Sequence, residues 1–348
     1  MQPPPALLKQ NMELSAGKGL FMSWTFWYKN NLKIMGNMMP VLVQQHNEIV
    51  DLKHLIVKVS SDTGVGVGLM HSLADKQASF EVFLTWVVFK TLHYMHAYKH
   101  YEEFQEQGIL MLNAQVKFMK NIFPMKYIQE NLVVWFEGVL PTMLEAMQNH
   151  EVVYVRKGAM KLTIDLVNMG MKLEASMCAK MTEVCLKSLK SYDKTEKMQQ
   201  FACTCLAIFS PESLAMEIFV GGSCHYSIGE VALVLKKSFD IQTKSIAMNC
   251  LWVLISLYHH RVPADIFEVL FTEIYSQSDL LEKNNMPFKK RLVAFNIMNK
   301  ATQCVEIMLC DSNASVHDYR AQLESMYYVP MSENFKCLLT AIRAKNGY

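Results

Sequence analysis

What this chain lacks narrows its class before any motif is read. It lacks a dominant charge: 34 Lys and Arg stand against 32 Asp and Glu, and charged residues make up only 19% of 348 positions. No overall field therefore draws the chain to nucleic acid or to an anionic membrane, and only local patches are left for such partners. A long apolar run is missing as well. The most apolar stretch, Phe80 to Phe89, is about half the ~20 residues that a membrane-spanning helix requires, and Lys90 closes it. It reads as a buried helix, and no membrane span is expected. The opening Met1-Gln-Pro-Pro-Pro has no basic segment followed by an apolar core and a small-residue cleavage site, the pattern of a secretory signal.

Catalytic and ligand-binding signatures are equally scarce. Gly64-Val-Gly-Val-Gly68 has Leu69 and Met70 where a phosphate loop needs Lys and Ser or Thr, and its glycine spacing is not that of a dinucleotide fold; it predicts a flexible connector. No G-x-S-x-G or H-E-x-x-H occurs. His93, His96 and His100 fall at i, i+3 and i+7, a spacing that can gather a metal with Glu102 or Glu103. The same stretch is lined by Tyr94, Tyr98 and Tyr101, which favours an aromatic, partly exposed helix face. His259-His260 suits the negative end of a helix better than a ligand set. Cys203-x-Cys205 has no second Cys or His pair at zinc spacing. The nine cysteines form an odd set within apolar stretches, which fits buried, reduced thiols and a cytoplasmic or nuclear protein. No cofactor or metal is expected, and an enzyme is not.

What the chain has is helix. Beyond residue 106 no segment alternates apolar and polar residues, so the usual signal for a sheet is missing. Residues 1–36 hold a triple proline, two glycines and a dense aromatic patch around Trp24 and Trp27, and are expected to form an irregular or helical cap. Residues 37–130 form a helical N-terminal part. Within it Pro40 to Val59 predicts a helix, although Leu55-Ile-Val-Lys-Val also fits a short strand, and residues 74–106 predict one long helix or two in series.

Self-similarity appears further on. An alanine sits mid-helix at 159, 202, 247 and 294, at spacings of 43, 45 and 47 residues. Three positions before it stand Arg156, Gln199, Lys244 and Arg291; three after it Leu162, Cys205, Cys250 and Ile297; seven after it Leu166, Phe209, Leu254 and Ala301. Steps of three and four keep these positions on one face, with the small residue where two helices approach closest. Upstream of each lies another amphipathic helix, as in Leu140, Met143, Leu144 and Met147. Each unit is therefore a helical hairpin. Ser210-Pro211-Glu212 and Val262-Pro263 read as helix starts, and Gly221-Gly222 as a stop.

This pattern resembles the armadillo/HEAT superfamily, with Glu151-Val-Val-Tyr-Val-Arg156-Lys-Gly-Ala159 as the closest single match. The resemblance covers residues 131–310. It implies an all-α, right-handed α-solenoid of hairpins of 43–47 residues, with capping helices over 311–348. It also implies a scaffold or adaptor that binds peptide or helical segments of other proteins, with the second helix of each hairpin lining the concave side. On that side Arg156, Lys157, Lys244, Lys289, Lys290 and Arg291 form a candidate ladder for an acidic peptide or phosphate. Ion pairing within the repeats, with Glu151, Asp193 or Asp240, is the other reading of the same residues. Trp24 and Trp27 are candidates for a second contact. The alternative function is nucleic-acid binding in a basic concavity, which the net charge of +2 disfavours. The 26 methionines suit core filling, and also surfaces that adapt to partners.

Overall fold

The computed structural model describes residues 18–59, 63–190, 195–214, 223–258, 262–263, 265–282 and 286–310, with side chains from residue 26 onward except at 63, 212–214, 223–226 and 309–310. The side chain of Trp24, the residues Asp193, Gly221-Gly222 and His259-His260, and the expected capping helices over 311–348 lie outside the described set. Every element among the described residues is an α-helix. In chain order they are α1 (Lys18–Lys58), α2 (Thr63–Ala97), α3 (Glu102–Ile122), α4 (Met125–Trp135), α5 (Val139–Asn149) and α6 (Val153–Asn168). They continue with α7 (Ala175–Lys190), α8 (Glu196–Leu214), α9 (Ser223–Lys237), α10 (Ile241–Tyr258), α11 (Ile266–Glu282) and α12 (Phe288–Cys310). The chain forms two compact units, Met1–Leu173 and Glu174–Tyr348.

The first unit is organised around α3, which packs against α1, α2 and α6. Its sequence explains the central place. Buried positions run from Phe104 and Gln105 through Gly108, Ile109, Leu112, Val116 and Met119 to Ile122, too broad a stripe for one neighbour. Two glycines let helices come close. A Cβ at Gly108 would lie 2.4 Å from Met95 Sδ, and one at Gly158 would lie 2.7 Å from Ile109 Cγ2. At the corner between α2 and α3, Gln105 Nε2 donates to the carbonyls of Met95 and Tyr98 at 2.8 and 3.2 Å, so the end of α2 is capped by a side chain of α3.

One local expectation is corrected here and two left open are settled. Leu55-Ile-Val-Lys lies within α1, so this β-branched run is helix and not strand. That helix also passes through Pro40, whose missing N–H leaves the Gly36 carbonyl without its usual donor. Gly36 is exposed and open, which leaves that carbonyl to water. The Gly64–Gly68 stretch is no connector but the first turns of α2. Nothing within 4 Å would meet a Cβ at Gly66 or Gly68, so α2 is held by the apolar residues downstream. Of the two readings of residues 74–106, the pair of helices is observed, with the break at residues 98–101.

The second unit is a stack of hairpins. α7 packs on α8, α9 on α10 and α11 on α12, while α10 lies between α8 and α12 and α9 touches both α7 and α11. First helices thus form one layer and second helices the other. Ala202, Ala247 and Ala294 are fully buried, as are or nearly are Cys205, Cys250 and Ile297 three positions on and Phe209, Leu254 and Ala301 seven on. In the first unit Ala159, Leu162 and Leu166 are equally buried. Every described cysteine side chain is a buried, reduced thiol; burial pushes Cys205 and Cys250 up beyond the ordinary thiol range. Ser210 does not start a helix: α8 runs through Pro211 to Leu214, and the Ser210 hydroxyl donates back to the Leu206 carbonyl at 2.6 Å. The Val262-Pro263 start is observed, with Ile266 N–H donating to the Pro263 carbonyl at 3.2 Å.

Candidate functional site

The basic candidates fall into different environments. Lys244, on α10, forms an ion pair with Glu273 of α11; the two side chains are 17% and 3% exposed. Gln277 Nε2 donates to the other Glu273 oxygen at 3.0 Å. The Lys244 charge is therefore taken up inside the stack, by an acid outside the three expected. One of those three, Asp240, instead caps α10, accepting from Thr243 N–H at 2.8 Å, from the Thr243 hydroxyl at 2.7 Å and from Gln200 Nε2 at 3.2 Å. These bonds, the Thr243 hydroxyl first, hold its carboxyl below the usual range.

In the first unit, Arg156 Nε donates to the His150 carbonyl at 2.6 Å, and His150 Nε2 donates to the Lys99 carbonyl at 2.6 Å. Arg156 thus braces the α5–α6 turn, His150 ties that turn to the α2–α3 corner, and Lys157 is half-buried. Lys289, Lys290 and Arg291 stand exposed in the first turn of α12, which contains no acid.

The aromatic candidates split as well. Trp27 is half-buried with its ring 5.1 Å from that of Tyr98, within a cluster that includes Tyr28 and Phe104. Tyr28 sits 4.9 Å edge-on to Phe104, and burial, then the nearby Glu103 carboxylate, push its hydroxyl up to about 12. This patch seals the α2–α3 corner. The histidines do not converge: His93 and His100 are exposed, His96 lies 3.8 Å from Glu145, and no group of three metal-ligating side chains gathers among the described residues.

The more developed surface lies on the apolar run Phe80 to Phe89, which was expected to be a buried helix and is buried on one face only. Successive residues of a helix turn by about 100°, so Phe80, Leu84, Val87 and Val88 share one face of α2 while Val82, Trp86 and Phe89 share the opposite one. The first four are buried. The other three are 72%, 46% and 63% exposed. The apolar run is therefore a helix with two apolar faces, of which the fold covers one. The signal was present in the sequence: no polar residue other than Glu81 and Thr85 breaks the run, where a helix with one face in solvent needs several.

The uncovered face is one wall of a groove of about 690 Å³, with Val134 and Trp135 of α4 opposite and Val133 exposed beside them. Glu81 marks its edge. One carboxylate oxygen accepts from Trp135 Nε1 and the other from the Tyr127 hydroxyl, both at 2.9 Å. Both donors are neutral, and no cation pairs with Glu81 among the described residues, so the groove carries an uncompensated negative charge. The Tyr127 hydroxyl is held above its ordinary value, chiefly by that bond to Glu81. Trp135 is fixed from behind by Phe123, with ring centroids 5.2 Å apart. Both hydrogen bonds and the tilted ring contact hold the wall in place.

A second, polar cleft of about 430 Å³ lies between α3 and α6, where Asp165 faces Lys120 at 3.3 Å and Lys161 at 4.0 Å. These pairs are about one-third exposed or more, where screening leaves them little energy. No described helix is long and apolar enough to cross a membrane. The chain matches no protein-family model, and neither a curated protein nor a solved structure is significantly similar to it.

Proposed function

We propose that this chain is a helical-repeat scaffold of the armadillo/HEAT kind, a right-handed solenoid over its repeat segment, that binds other proteins without chemistry of its own and works in the cytoplasm or nucleus. The single observation that supports it best is the uncovered face of α2. A groove walled by Val82, Trp86, Phe89 and Val134, on a helix whose other face is locked into the core, is a preorganised receptor for an apolar segment. Helix-in-groove docking uses such a wall, with anchors at i, i+4 and i+7. Recurrence of the buried alanine register in successive hairpins supports the repeat reading.

Affinity purification of the full chain, compared across variants, tests this. Trp86→Asp places a charge in the groove and is expected to abolish the recovery of specific partners at unchanged thermal stability. Replacing Lys289, Lys290 and Arg291 by Glu is expected to leave those partners in place. Loss with the second variant and not the first would move the contact to the basic turn, and partners insensitive to both would overturn the groove reading.

A further inference from the structure

The groove has a complement elsewhere in the same sequence. On α12, Phe288, Leu292 and Phe295 repeat the i, i+4, i+7 spacing of Val82, Trp86 and Phe89, and they are 79%, 50% and 49% exposed. The face opposite them is the packed one, with Ala294, Ile297 and Ala301 buried. Both strips span eight residues, about 10 Å from first to last. Their charges are opposite. Lys289 and Arg291 flank the α12 strip on either side, with no acid paired to them among the described residues, whereas Glu81 flanks the α2 strip with no cation paired to it.

We infer that the groove of one molecule receives the α12 strip of a second copy, in a head-to-tail contact in which Phe288, Leu292 and Phe295 pack on the α2 wall and an α12 cation meets Glu81. This rests on the groove being a contact surface, and names its occupant. Two rival occupants fit less well. A parallel pairing of groove with groove brings one Glu81 carboxylate against another, an antiparallel one sets a single Lys90 against each Glu81 where the α12 strip brings both Lys289 and Arg291, and a vesicle of acidic lipid meets the Glu81 charge. Lys90, which lies beside the Phe89 ring with Nζ 6.0 Å from its centroid, occupies the other end of the wall. The cations of α12 therefore enter at the Glu81 end, and the incoming helix lies parallel to α2.

A head-to-tail contact is heterologous, so each molecule offers one groove and one strip and the contact can propagate. Sedimentation velocity on the full chain over a concentration series reads this directly. Wild type is expected to self-associate in steps. Trp86→Asp removes the groove and Leu292→Asp the strip; each alone is expected to stay monomeric with an unchanged melting temperature. Their equimolar mixture is expected to form a one-to-one dimer and nothing larger, because one intact groove then meets one intact strip. Glu81→Gln keeps the shape and removes the charge, and is expected to weaken association about fivefold.

A monomeric wild type across the series, or a mixture that stays monomeric, overturns the inference. In that event partner loss on Trp86→Asp, measured by affinity purification, still upholds the groove as a binding surface for other proteins. Its absence overturns both.

Discussion

Lys244 and Glu273 are paired within the second unit, the ammonium on α10 and the nearly inaccessible carboxylate on α11. Removing one member leaves the other buried without its counter-charge, which costs about 3–5 kcal/mol. Glu273→Ala is expected to lower stability by an amount in that range, whereas Lys244→Met with Glu273→Leu is expected to lie much closer to wild type. Chemical denaturation of the three chains checks both statements. Equal losses in the single and double variants would show that the pair contributes no mutual stabilisation.

Asp240 gives stability a pH dependence. Its folded carboxyl is held below the ordinary value of 3.8, so the charged form is favoured by folding. The resulting stability is present above the unfolded value and is lost as pH falls through the folded one. Asp240→Ala is expected to cost about 1 kcal/mol at neutral pH, and Asp240→Asn less because Asn also caps. The gap between wild type and Asp240→Asn should close as the pH is taken below 3.8, in thermal melts across an acid series. A gap constant with pH would contradict the charged cap.

Gly158 and Gly229 are both helical, yet opposite outcomes are expected. Gly158→Ala drives a Cβ to 2.7 Å from Ile109 Cγ2, a branched side chain with little freedom, and should destabilise by about 1–3 kcal/mol. Nothing lies within 4 Å of a Cβ at Gly229, so Gly229→Ala should stabilise α9 by up to about 1 kcal/mol. Melting temperatures of the two variants settle the comparison.

The hairpin register was legible in the sequence because a buried alanine with apolar residues three and seven positions on is a local signature of close helix packing. Ala202, Ala247 and Ala294 needed no tertiary information to be found. Helix ends were harder to read. Pro40 and Pro211 looked like boundaries, yet both lie inside helices, and Ser210 bonds backward to Leu206 in place of capping forward. The basic residues were legible as charges but not by fate: which acid Lys244 meets depends on how α11 lies beside α10, and Glu273 is 29 residues away. The groove was hidden for the opposite reason. Phe80 to Phe89 is apolar on both faces, and periodicity reports that such a helix has two faces to cover without saying which one its own fold leaves open.

The surface on α2 remains the centre of the account, and a photo-crosslinking phenylalanine analogue placed at Phe89 of the full chain in cells tests it most directly. Covalent adducts are expected at that position, whether with another protein or with a second copy, and are expected to vanish when Trp86→Asp is added. Adducts at Lys157 or Lys290 with none at Phe89 would contradict it.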